Sequence, residues 1–74
     1  MTAIAKTILK KCGGAYQVAA WLKLNPSQVY RWTYPRSRGG TGGYIPTKRQ
    51  AELMRKAREN GIPLEPSDFF EEAA

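Results

Sequence analysis

Apolar residues recur along this chain at helical spacing, in four stretches divided by glycine and proline. Ile4, Ala5, Ile8, Leu9 and Cys12 make the first stripe. Ala15, Val18, Ala19 and Leu22 make the second, Val29 and Trp32 a short third, and Leu53, Met54 and Ala57 the last. Steps of three and four put each set on one face of a helix. Thr2 can cap a first helix from Ala3 to about Cys12, with Lys10 and Lys11 at the end where the helix dipole favours cations. Gly13-Gly14 stops it and permits a sharp turn into the next. Thr47 and Gln50 have capping-box spacing at the start of a long helix over 47–60, in which Glu52 and Lys56 form a favourable pair. Asn60-Gly61 and Pro63 end it. In the tail over 61–74, Ser67 can cap a turn beginning at Asp68, and the adjacent Phe69 and Phe70 are expected to be at least partly buried. The pattern predicts one all-α domain over 1–74, with four helices and a short C-terminal turn.

The stretch over 14–34 organises the rest. Leu22 is followed by Lys23-Leu24 and then Asn25-Pro26-Ser27-Gln28. Asn25 is a good N-cap, Pro26 suits the first helical position, and Gln28 stands where a capping-box partner reaches back. Pro26 also pushes Asn25 out of the α region, which breaks one helix and starts another. Helix, short turn, helix, with apolar pins on both, is the helix-turn-helix layout. With Val29 and Trp32 inward, steps of about 100° place Ser27, Tyr30, Arg31 and Tyr34 on the opposite side of a helix over about 26–34, with Gln28 on its flank. A helix with such a face fits a DNA major groove, where Arg pairs with guanine and Gln with adenine. The same face also suits a plain solvated surface helix.

Residues 13–34 resemble the helix-turn-helix of Cro/repressor-like bacterial and phage regulators, especially the small YdaS-type group. The resemblance rests on Gly13-Gly14, Val18-Ala19, Leu22, Leu24, Val29 and Trp32. The glycine-rich loop with Ile45-Pro46 is similar to the small bacterial regulators called carph-isopro. These similarities imply a lambda-repressor-like fold and a DNA-binding regulator. Lys23 stands where the family usually has glycine. A left-handed lysine costs roughly 1 kcal/mol, which implies a slightly different turn.

Charge sharpens the expectation. The chain carries 12 basic and 6 acidic residues, a net charge of +6. No acid precedes Glu52, whereas Lys6, Lys10, Lys11, Lys23, Arg31, Arg36, Arg38, Lys48 and Arg49 all do. Beyond Arg58 come only acids: Glu59, Glu65, Asp68, Glu71 and Glu72. So one-sided a block is the footprint of a polyanion partner. The bases lie across several segments, unlike those of a membrane-surface helix. Lys48 and Arg49 begin a helix, where the dipole disfavours cations unless a phosphate docks there. The loop from Arg36 to Tyr44, within a linker over 35–46, has four glycines and two arginines. It lacks the GKS or GKT ending of a nucleotide-binding P-loop. It reads either as a mobile arm whose arginines meet the DNA backbone or as a flexible connector.

Length and composition bound the alternatives. Seventy-four residues with 42% hydrophobic content make a single domain with a small core. One cysteine and no histidine exclude an internal disulfide framework, a thiolate zinc site and a His-based triad. Cys12 reads as a small buried hydrophobe. The six carboxylates come late and surround no nucleophile, so an enzyme is not expected, and no cofactor or small-molecule ligand is evident. With no apolar run long enough for a signal peptide or membrane span, the expected setting is the bacterial cytoplasm, nucleoid-associated when DNA is bound. The expected function is sequence-specific binding of double-stranded DNA by a homodimeric regulator. Ser27, Gln28, Tyr30, Arg31 and Tyr34 are the candidate base contacts, and Arg36, Arg38, Lys48 and Arg49 the candidate phosphate contacts. The alternative is an adaptor that meets the transcription machinery through Trp21, Phe69 and Phe70.

Overall fold

A computed structural model describes residues 3–70 of the chain. The described residues are all helical, with four α-helices, three 3-10 turns and no strand. Helix α1 spans Ile4–Lys11, α2 Ala15–Leu22, α3 Pro26–Tyr30 and α4 Thr47–Glu59. The 3-10 turns cover Arg31–Thr33, Arg36–Arg38 and Pro66–Phe69. Their stripes meet in one core, in which Ile8, Cys12, Val18, Val29, Ile45, Leu53, Leu64 and Phe69 are almost wholly enclosed. Helix α2 packs against both α3 and α4, and α1 packs against α2 and the first and last 3-10 turns. Burial raises the Cys12 thiol above its ordinary value, with Lys11 partly opposing the shift. No helix among the described residues is long and apolar enough to cross a membrane.

Three of the four α-helices end in the same way. In α1, Gly14 N–H donates to Leu9 O (2.8 Å) and Gly13 N–H to Lys10 O (3.3 Å). In α4, Ile62 N–H donates to Ala57 O (2.8 Å) and Gly61 N–H to Arg58 O (3.0 Å). Both are Schellman motifs with a left-handed glycine. Helix α2 ends identically, with Leu24 N–H on Ala19 O (2.9 Å) and Lys23 N–H on Ala20 O (3.4 Å). Here the left-handed residue is Lys23, at φ 56° and ψ 44°. The turn therefore keeps the conformation that glycine would adopt, and does not alter to suit lysine. Leu24, half-buried against the core beside Ala19, supplies the apolar contact of the motif.

Several local expectations need correction. The N-cap of α1 is Ala3, which has no capping side chain, and the Ala5 N–H is satisfied by Gly43 O at 2.7 Å. Capping by Thr2 lies outside the described residues, as do Glu71 and Glu72. Thr47 is the first residue of α4 and makes no capping bond; Gln50 Nε2 instead donates to Ile45 O (3.0 Å), fixing the chain that leads into the helix. Glu52 pairs with Arg49 at 4.0 Å instead of with Lys56. Ser67 lies within the last 3-10 turn. That turn is closed by Asp68 Oδ2, which accepts from Glu65 N–H (2.9 Å) and lies 4.0 Å from Lys11 Nζ. The two phenylalanines divide: Phe69 is in the core, while Phe70 is 67% exposed.

Candidate nucleic-acid interface

Helix α3 starts as its sequence dictates. Asn25 Oδ1 accepts from Ser27 N–H (2.9 Å) and Ser27 Oγ–H (2.9 Å), and Asn25 N–H donates to Gln28 Oε1 (3.1 Å). The cap thus uses one side of each of two candidate base contacts. Ser27 and Gln28 remain exposed, and the Gln28 amide keeps its N–H groups for another partner.

The helix is shorter than the expected 26–34. After Tyr30 it tightens into the 3-10 turn Arg31–Thr33, and Tyr34 is extended at φ −92°, ψ 150° as its proline neighbour requires. The glycine-rich loop takes over the carbonyls that a longer helix would have used. Thr41 N–H donates to Arg31 O (3.2 Å), Thr41 Oγ to Trp32 O (3.1 Å) and Gly42 N–H to Tyr34 O (3.0 Å). Val29 and Trp32 are both buried, as the stripe predicted, and Tyr30, Arg31 and Tyr34 are exposed.

These bonds also correct the reading of residues 35–46 as a mobile arm or flexible connector. Thr41 Oγ accepts from Tyr44 N–H (3.1 Å), while Gly39 and Gly40 N–H donate to Arg36 O (3.0 Å) and Pro35 O (3.1 Å). A Cβ at Gly40 would stand 2.2 Å from Tyr34 O and 2.5 Å from Arg31 O, so this position admits only glycine. Glycine here permits close packing of backbone on backbone.

The folded loop sets out the candidate phosphate contacts. Arg36 lies over Gly42 and lines an open cleft of about 540 Å³ with Gly40, Thr41, Tyr44, Ile45, Pro46 and Thr47. Lys48 follows on the first turn of α4, exposed, and Arg49 is half-buried beside Glu52. Arg38 is exposed at the end of its 3-10 turn. Among the described residues Arg31, Arg36, Arg38 and Lys48 have no acidic partner, so their charge is available to a ligand.

One member of this surface was missed. Tyr16, in the first turn of α2, meets the ring of Tyr30 edge to face, with centroids 6.1 Å apart and planes at 81°. Its place off the α2 stripe shows that it faces outward, but only the crossing of α2 and α3 shows that it faces Tyr30. Among the residues of the alternative adaptor reading, Phe69 is in the core and Trp21 is partly covered by it, leaving Phe70 exposed.

No protein-family model, curated protein or solved structure matches the chain.

Proposed function

We propose that this protein is a small transcriptional regulator that binds double-stranded DNA in a sequence-specific way, with α2 and α3 acting as a helix-turn-helix. The observation that carries this reading is the division of α3 and its 3-10 extension. Val29 and Trp32 are buried, while Ser27, Gln28, Tyr30 and Arg31 are exposed along the same short segment, with Tyr34 exposed just beyond it. In the major groove, the Arg31 guanidinium donates in bidentate fashion to guanine O6 and N7, and the free amide N–H of Gln28 donates to a base acceptor. Ser27 and the phenols of Tyr30 and Tyr34 supply single hydrogen bonds at the edges. Arg36, Arg38, Lys48 and Arg49 take the sugar-phosphate backbone, which fixes register and carries little sequence information.

A two-fold homodimer fits the same reading. Its two subunits would occupy half-sites one helical turn, roughly 34–36 Å, apart. Selection of bound fragments from random duplex DNA tests the proposal. An enriched motif, with two-fold symmetry for the dimer, is the expected outcome. Recovery of fragments without any common sequence overturns sequence-specific recognition.

A further inference from the structure

Tyr16 is 70% exposed and Tyr30 39% exposed, yet their rings meet in a T-shaped contact. A contact of this kind between two surface rings does little for the core, which α2 and α3 already share through Val18, Leu22 and Val29. Its effect is on orientation. On a helix Tyr30 has two common χ1 rotamers, and contact with the Tyr16 ring favours one of them before any ligand arrives. Holding a side chain in its bound pose lowers the ordering penalty on binding.

The pair also has a defined chemistry. Tyr30 lies about one helical turn after Ser27, so the two side chains are neighbours on the helix surface. Tyr16, in the first turn of α2, adds a second exposed ring in contact with that of Tyr30, and together their ring carbons form a small apolar wall. The groove feature that matches an apolar wall is the C5-methyl group of a pyrimidine, the only apolar group that base edges present in the major groove.

Building on the proposed DNA reading, we propose that Tyr16 is a specificity-determining residue, which with Tyr30 forms an aromatic wall that recognises the C5-methyl of a thymine. The phenol of Tyr16 is dispensable to this role; its ring is not.

The test uses the selected duplex, with each thymine replaced in turn by uracil, which removes the methyl and leaves pairing intact. The wild-type protein is expected to lose roughly three- to tenfold in affinity at one position, the equivalent of one methyl contact. Tyr16→Ala and Tyr30→Ala are expected to bind the thymine and uracil duplexes alike, and Tyr16→Phe to discriminate as the wild type does. A selected motif without thymine, a wild-type protein indifferent to every replacement, or discrimination that survives in Tyr16→Ala overturns the aromatic wall while leaving DNA reading intact. A Tyr16→Phe protein that has lost discrimination makes the hydroxyl the reader and overturns it too. Wild-type binding with no preference over random duplex overturns both proposals together. Melting curves of the variants accompany the titrations, and Tyr16→Gln, which also removes the ring and is expected to lose the discrimination, replaces Tyr16→Ala if the alanine variant fails to fold.

Discussion

Replacing Lys23 by glycine is expected to stabilise this protein. Lys23 holds φ 56° and ψ 44°, the one positive φ at a non-glycine residue among those described. The left-handed conformation costs an L-residue roughly 1–2 kcal/mol through contact between Cβ and the following carbonyl. Glycine removes that term but gives the unfolded chain more freedom, which offsets about 0.4–1 kcal/mol. The net gain is about 0.5–1 kcal/mol, which for a domain of this length raises the melting temperature by about 2–8 °C. Lys23 is exposed and makes no ion pair among the described residues, so losing its side chain removes little beyond a solvated cation at the α2 C-terminus, worth about 0.3 kcal/mol. Thermal melts of Lys23→Gly, Lys23→Asn and Lys23→Ala separate backbone from charge. Glycine should gain most, asparagine less because it tolerates this region, and alanine almost nothing because its Cβ keeps the clash. An alanine variant stabilised as much as the glycine variant would place the effect in the charge and refute the backbone argument. A glycine variant melting lower than wild type would refute it outright.

Three further expectations concern packing and the DNA backbone. Trp32→Ala should destabilise the domain by about 3–5 kcal/mol, since Trp32 is only 5% exposed, whereas Tyr30→Phe should leave the melt unchanged; an equally stable Trp32→Ala protein would mean that α3 faces the other way. Gly40→Ala should disrupt the loop and lower the melting temperature, because its Cβ would overlap Tyr34 O and Arg31 O; an unchanged melt would show that these carbonyls do not pack on residue 40. Across a salt series, Arg36→Ala with Arg38→Ala, and separately Lys48→Ala with Arg49→Ala, should weaken specific and non-specific duplexes alike and lower the log–log slope by about 0.9 for each lost contact. A wild-type slope in either pair removes that pair from the backbone contacts.

What could be read from the sequence was what neighbouring residues decide among themselves. The four apolar stripes were legible because a helix repeats every few residues. The Asn25 cap was legible because its bonds span no more than three positions, to Ser27 and Gln28. Single-residue cap assignments were less secure, since Gln50 and Asp68 have several acceptors or donors within reach and the chain path chooses between them. Loop residues 39–43 failed for a different reason. Glycines and polar residues read as mobility, yet Thr41 and Gly40 meet Arg31, Trp32 and Tyr34 six to ten positions earlier. Their order comes from bonds that no local pattern encodes. Tyr16 was missed for the same reason, since its partner lies on another helix. The division between buried Phe69 and exposed Phe70 depends on how the last turn docks on α1, which their shared chemistry does not reveal.

The central claim is that α3 and the 3-10 turn that extends it read base identity, and Arg31 tests it most directly. Affinities of wild type and Arg31→Ala are measured on the selected duplex and on a set with every single base pair changed. The expected result is a loss of about 1–3 kcal/mol on the selected duplex, with preference relaxed at one base pair and unchanged at the others. If Arg31→Ala instead weakens every duplex by the same factor, Arg31 touches phosphate and is not the base contact on which this claim rests.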